Sequence, residues 1–391
     1  MLKTHFKTHD WTLTTVMLLF CAISITALYS ATYGSKFEGY HVSMGIYYLL
    51  GFLVMFVVGI VDNAFLKRMT PILFGVGLLL LVVVLILDTT INHAKGWLLI
   101  AGFSFQPAEI MKLFLVLMLA RFIASRQVED GRMTFLGGVL PSAVIAGVPF
   151  LLVLVQPDLG NAMAFVFIVV CLIWVGGMKY WQFLLMIGLA AGLLVTSVHY
   201  YKVYHEPIEQ YFKAKEKERW VERIDTFLYP DNVDKDKKYH IDSAELAIGS
   251  GSLEGEGYMQ GTARRGFVPY VYADSIVVVI AEEFGFRGTA LLLMLYMVLI
   301  YRIVLAAITA PDSFSRLLAI GIASMFLFQI FQNVGMHLRL MPLTGITLPF
   351  ISYGGTSLLT NMIAVGIVQG IRAQAAAVST SGEWTPVGKA L

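Results

Sequence analysis

Ten apolar runs follow one another along the chain, near 11–33, 44–61, 71–88, 108–124, 137–155, 160–178, 181–200, 275–303, 314–335 and 355–371. Each is close to the roughly 17–25 residues that carry a helix across a bilayer core. Polar positions gather in short connections between the runs, with one exception, a long polar stretch at about 201–272. The pattern predicts an all-α, polytopic integral membrane protein with about ten transmembrane helices. It forms a single membrane domain over 1–391 with one large water-facing loop. The opening MLKTHFKTHDWT carries Lys3 and Lys7, but the run behind it has full spanning length and no convincing small-residue cleavage site. It reads as a retained first helix.

Composition agrees with this reading. With 58% apolar and 14% charged residues and a mean hydropathy of +0.74, the chain cannot hide its apolar surface in one soluble core. A net charge of +2 points to no nucleic-acid partner. Where the charges fall says more: 11 of the 28 Lys+Arg and 13 of the 26 Asp+Glu lie between Lys202 and Arg265. Among the short connections, Lys67, Arg68, Arg126, Arg132, Lys179, Arg302, Arg316, Arg372 and Lys389 all fall on one side in a ten-span count. The positive-inside rule makes that side cytoplasmic, with both termini on it. The connections at 89–107, 201–272 and 336–354 then share the outer face. Cys21 and Cys171 sit inside apolar runs and imply no disulfide framework. In the large loop, KAKEKERWVERIDTFL from Lys213 has the spacing of a short surface helix, or else of a solvated charged face. YPDNVDKDKK from Tyr229 reads as an exposed, mobile tip.

Asp274 marks the place where a glycine-rich polar loop enters a spanning run. A carboxylate there meets water on one side and low dielectric on the other, which raises its pKa and suits a base; a cap for the following helix is the alternative. Glu109 and Lys112, three apart behind Pro107, share a helical face, either as a helix-start pair or as functional groups at membrane depth. In QPDLGNAM, Asp158 follows Pro157 and suits an N-cap. MPLTGITLPFISYGGTSLL mixes prolines, glycines and the hydroxyls of Ser352, Tyr353, Thr356 and Ser357 among apolar residues. Irregular backbone at that depth must be buried in protein or line a cavity. Histidine and cysteine spacings show no zinc pattern, and GSGSLEGEG lacks the Lys-Ser/Thr ending of a phosphate loop.

Taken together, KGWLLIAGFSFQPAEIMKL, QPDLGNAM, AIGSGSLEGEGYMQG, ADSIVVVIAEEFGFRG and NVGMHLRLMPLTGITLPFISYGGTSLL resemble the SEDS family of bacterial membrane proteins (RodA, FtsW, SpoVE). The matches are in the family's order and cover most of the chain. Some positions depart from the family pattern: Tyr272 and Ala273 stand where His and Thr precede the aspartate, Tyr270 and Ser275 replace Glu and Phe, Gly96 replaces Arg, Glu256 replaces Lys, and Arg339 stands where Gly is usual.

The resemblance implies a peptidoglycan glycosyltransferase of the bacterial cell membrane, polymerising lipid II at the outer face. The 4-hydroxyl of one lipid-linked sugar attacks the anomeric carbon of another with inversion, and polyprenyl pyrophosphate leaves. It makes Asp274 the general base. Lys112, Arg223, Arg264 and Arg265 become candidates to stabilise the leaving pyrophosphate, as does a divalent cation such as Mg or Mn. Glu109, Asp158, Ser352 and Tyr353 become members of the polar site. It also implies a class B penicillin-binding protein as partner, alongside other membrane proteins of the elongation complex. AIGSG followed by GYMQG favours the elongation branch. A division- or sporulation-type polymerase, a lipid II flippase and a scaffold for a transpeptidase are the other readings.

Overall fold

The structure, a computed structural model, describes residues 9–87, 90–91, 94–100, 103–127, 132–214, 218–229 and 235–381. Ten apolar helices form the bundle: α1 (Trp11–Thr32), α2 (Tyr40–Gly59), α3 (Asn63–Leu87), α4 (Pro107–Arg126), α5 (Leu140–Val155, entered through a π turn at Phe135–Val139), α6 (Leu159–Val175), α7 (Tyr180–Val203), α11 (Ile276–Ile308), α12 (Ser313–His337) and α13 (Gly355–Ser381). Between α7 and α11 lie α8 (His205–Ala214), α9 (Glu218–Leu228) and α10 (Lys235–Ser250). Two short antiparallel hairpins, β1 (Thr90–Ile91) with β2 (Ala94–Lys95) and β3 (Leu98–Ile100) with β4 (Phe103–Phe105), connect α3 to α4.

Seven of the ten helices are long and apolar enough to cross a membrane on length and composition alone: α1, α2, α3, α5 with its π turn, α7, α11 and α12. The other three fall short for identifiable reasons. α6 has 17 residues, α4 carries Glu109, Lys112, Arg121 and Arg126, and α13 carries Thr356, Ser357, Thr360, Asn361 and Gln369. Glu109 and Lys112 of α4 and the polar residues of α13 are buried against neighbouring helices, while Arg126 lies exposed at the end of α4. α12 is buried along most of its length and forms the centre, whereas only Phe183 and Tyr201 of α7 are buried.

Lipid is as apolar as leucine, so helices here associate through close packing of small residues. In GIVQG of α13, a Cβ at Gly366 would lie 2.6 Å from the Met55 carbonyl oxygen, and one at Gly370 would lie 3.2 Å from that of Gly59, both on α2. A latch closes one end of the bundle. Asp10 caps α1 by accepting from Thr12 and Leu13 N–H, pairs with Arg302 of α11 (2.6 Å) and Arg372 of α13, and exchanges backbone bonds with Gln369.

The large loop is more helical than the sequence suggests. α9 occupies the charged, periodic stretch as expected, but α8 precedes it. The turn-rich tip lies partly outside the described residues (230–234), and from Lys235 onward that segment is the start of α10. The lysines and the AELA run of α10 are good helix formers, so a helix forms once the tip is passed.

α11 is broken at Gly285 (φ 62°, ψ −162°), and the glycine-rich loop fills the break. The helical bonds from Phe286 and Arg287 N–H to the carbonyls of Glu282 and Glu283 are missing. Instead Glu256 and Gly257 donate to those two carbonyls (2.9 and 3.1 Å), while Phe286 and Arg287 donate to Ser252 and Leu253 (2.9 and 3.2 Å). Four backbone groups that membrane depth would leave unpaired are thereby satisfied by exchange with the loop. Such close approach demands glycine. A Cβ at Gly255 would meet the Glu283 carbonyl oxygen at 2.2 Å, and one at Gly285 would meet the Gly255 nitrogen at 2.4 Å. Glu282 completes the seam, its carboxylate accepting from Thr262 N–H and hydroxyl and from Ala263 N–H, at the start of a single 3₁₀ turn (Ala263–Arg265).

Candidate active site

Asp274 stands on the turn between the glycine-rich loop and α11, not on a regular element. Tyr270, at φ 52°, opens that turn and accepts from Ala273 and Ser275 N–H. The N-cap of α11 is the next residue, Ser275, and no side-chain bond caps the helix. The residue is half-buried, but its Oδ1 is sealed from solvent and has no hydrogen-bond partner in the protein. Burial pushes the carboxyl pKa up to about 6, against the opposing pull of the Asp274 and Ser275 backbone N–H groups. Gly345, at φ 75°, lies under the carboxylate: a Cβ there would sit 3.6 Å from Oδ2.

The irregular segment between α12 and α13 forms the facing wall, and hydroxyls from three helices hold it. Tyr296 of α11, Tyr48 of α2 and Ser24 of α1 donate to the consecutive carbonyls of Pro349, Phe350 and Ile351. Ser352 Oγ accepts from Leu348 N–H at 2.8 Å, so this candidate's hydroxyl is engaged in shaping its own turn. Tyr353 stacks on Tyr40 with ring centroids 4.1 Å apart, and its N–H donates to the Tyr272 carbonyl, two residues before Asp274.

The remaining candidates join through side chains. Thr356 Oγ1 donates to Ser104 O and accepts from Gln106 N–H, and Gln106 Nε2 donates to Asp158 Oδ2 at 3.0 Å. Asp158 caps α6 as its position predicts, accepting from Asn161 N–H at 3.1 Å. One turn into α4, Lys112 is fully buried with Nζ 2.7 Å from Glu109 Oε1. Arg264 and Arg265 meet different surroundings: Arg264 has a buried Nε with no hydrogen-bond partner and lies within electrostatic reach of Glu283, whereas Arg265 is exposed. Arg223 belongs to α9, and its side chain lies outside the described residues. Arg339 occupies a left-handed position (φ 55°), which is the conformational reason for the glycine usual there. It pairs with Asp242 (2.5 Å) and Glu245 (2.8 Å) of α10.

Three polar side chains on α12 had no assigned role from sequence. Gln332 donates to Pro342 O and Thr344 Oγ1, Asn333 to Asp274 O and Ile346 O, and His337 Nε2 to Asp274 O. The signal was present: Gln329, Gln332 and Asn333 fall at i, i+3 and i+4 inside an apolar run, where uncompensated amides are costly. Buried polar atoms of Glu109, Asn161, Gln329, Asn361 and Asp274 have no hydrogen-bond partner within the protein. They belong to α4, α6, α12, α13 and the turn before α11, and they leave hydrogen-bonding capacity that the protein itself does not use. Among the described residues no group of three or more His, Cys, Asp or Glu converges as metal ligands. These residues alone therefore do not supply a closed set of protein ligands for a resident cation.

Fold and site define a polytopic helical membrane protein with unpartnered polar groups buried in its bundle and a carboxylate of raised pKa where the glycine-rich loop meets α11. Residues 10–377 match the family model for FtsW, RodA and SpoVE, described as cell cycle protein. The chain belongs to that family. It is 33% identical over 325 residues to a probable peptidoglycan glycosyltransferase FtsW of a Geobacter species (83% of this chain, 84% of the relative). It is 33% identical over 324 residues to stage V sporulation protein E of Bacillus subtilis (82% and 83%). It is 32% identical over 333 residues to peptidoglycan glycosyltransferase MrdB of Escherichia coli (85% of each). A solved chain from a study of the structural coordination of polymerization and crosslinking by a peptidoglycan synthase complex superposes with a TM-score of 0.74 at 27% identity, covering 93% of this chain and 97% of that one. The rod shape determining protein RodA of Thermus thermophilus gives 0.66 at 28% identity, covering 93% and 96%.

Proposed function

We propose that this protein is a peptidoglycan glycosyltransferase that polymerises lipid II at the outer face of the bacterial cell membrane, both termini being cytoplasmic. The observation that carries the reading is Asp274: a carboxyl raised to about 6, with one oxygen unpartnered, where the glycine-rich loop meets α11. A base of that pKa is ionised near neutral pH yet more basic than an ordinary carboxylate. Asp274 takes the proton of the acceptor sugar's 4-hydroxyl as that oxygen bonds to the anomeric carbon of the donor. The bond from that carbon to the pyrophosphate oxygen breaks, and polyprenyl pyrophosphate leaves with the electron pair. Lys112, its charge balanced by Glu109, together with Arg223, Arg264 and Arg265 supplies the cationic surroundings that a departing pyrophosphate needs.

Elongation is the process this enzyme serves, on the support of AIGSG with GYMQG and of the RodA likeness. Its partner is a class B penicillin-binding protein, a reading supported by the likeness to a chain of a peptidoglycan synthase complex. The test is direct. Purified protein in detergent, where no compartment exists to transport across, makes polymer from lipid II, and Asp274→Asn makes none. Polymer from the variant at the wild-type yield would remove Asp274 as the base. Absence of polymer from the wild type would favour transport.

A further inference from the structure

We infer that the last turn of α12, through Asn333 and His337, is the positioning element of the base, and that the N–H donated by His337 to the Asp274 carbonyl is needed to hold the carboxylate over Gly345. The inference rests on Asp274 being the base.

Asn333 and His337 are four residues apart and present the same helix face. Both are buried, and both donate to one oxygen, the main-chain carbonyl of Asp274, at 2.7 and 3.0 Å. A carbonyl oxygen has two lone pairs, and these two donors occupy both. Asn333 Nδ2 also donates to Ile346 O at 2.7 Å. One amide group thus fixes the separation of Asp274 from the residue that follows Gly345, and so places Gly345 beneath the carboxylate.

The need for such a clamp follows from where Asp274 sits. Its turn is entered through Tyr270 in a left-handed conformation, with Tyr270 itself exposed. The Asp274 and Ser275 N–H groups orient the carboxylate relative to its own turn, whereas α12 fixes that turn relative to the wall that carries Gly345. α12 is a suitable template: Asp312 caps its start, and packing surrounds it along most of its length. Asn333 and His337 reach the backbone of Asp274 and not its carboxylate, which makes them positioning residues.

Misplacing a reacting group by about 1 Å costs on the order of 100-fold in rate. His337→Leu should therefore lower kcat for lipid II polymerisation by roughly 10- to 100-fold with KM within about two-fold of wild type. His337→Gln should recover most of the loss, because glutamine carries an N–H at the same number of bonds beyond Cβ. Thermal unfolding in detergent tells an inactive fold from an inactive site. Should the leucine variant not fold, Asn333→Ala supplies the same reading without adding charge.

Wild-type kcat in both His337→Leu and Asn333→Ala would overturn the inference. So would a rise in KM with kcat unchanged, which would place His337 against substrate, or a glutamine variant no better than leucine. Asp274→Asn, run alongside, separates the two readings. If it is active, the base is misassigned; if it is inactive while His337→Leu is fully active, only the positioning role is lost.

Discussion

At the scale of single residues, the cost of burying the Asp274 carboxyl is visible in its pKa. A carboxyl whose folded pKa is raised binds its proton more tightly folded than unfolded. The stability that protonation contributes is fully present below the unfolded value near 3.8 and is lost as pH rises through about 6. Asp274→Asn should therefore unfold at a higher temperature than wild type at pH 7.5 and approach it at pH 4, while its activity is absent throughout. In wild type the limiting rate should fall as pH drops through about 6, because only the ionised base accepts the proton; a rate flat between pH 5 and 8 would exclude it. Glu109 and Lys112 obey a different logic. Either single change to alanine strands a buried charge, costing about 3–5 kcal/mol, and the double change should cost less than the sum. Additive losses of thermal stability would show that the two act independently. The buried contact of Glu109 with Lys112 and the place of Asp274 at the start of α11 were legible because ionisable groups stand out in apolar sequence. His337 was not, since its role depends on a main-chain oxygen 63 residues away.

At the scale of elements, the spans were read from apolar runs, but the break in α11 could not be. A glycine within a spanning run is commonplace, and the four exchanged backbone bonds that give Gly285 its purpose involve a loop about 30 residues upstream. The same interval explains why the glycine loop looked like a weak phosphate cradle: its glycines are demanded by close approach to another backbone. Gly255→Ala and Gly285→Ala should each lower stability by more than the ~1–3 kcal/mol of a strained left-handed residue, since the bonds across the seam go with it. Gly249→Ala is the control. It lies in α10 with nothing within 4 Å of a Cβ, and should be neutral or stabilising by up to about 1 kcal/mol. Thermal unfolding in detergent measures all three. Equal effects at Gly249 and Gly285 would show that the seam contributes nothing.

At the scale of the whole molecule, the ten apolar helices and their order were legible because crossing a bilayer requires a long apolar run, and seven of them meet that requirement on length and composition alone. The proposed orientation, with the basic short connections cytoplasmic, is open to a direct test. In a background lacking Cys21 and Cys171, Lys213→Cys, an exposed position on α8, should react with an impermeant maleimide on intact cells. Reaction only after the membrane is opened would invert the topology. What sequence left hidden is how the two ends of the chain meet. Asp10, at the start of the first helix, is shared between Arg302 and Arg372, and Arg372 belongs to the last. During synthesis, then, the first helix waits through the whole translation of the bundle with an incompletely neutralised acid at its tip. Only arrival of the final helix closes the latch, so a prematurely terminated chain would display an unsecured end to the proteases that police the membrane.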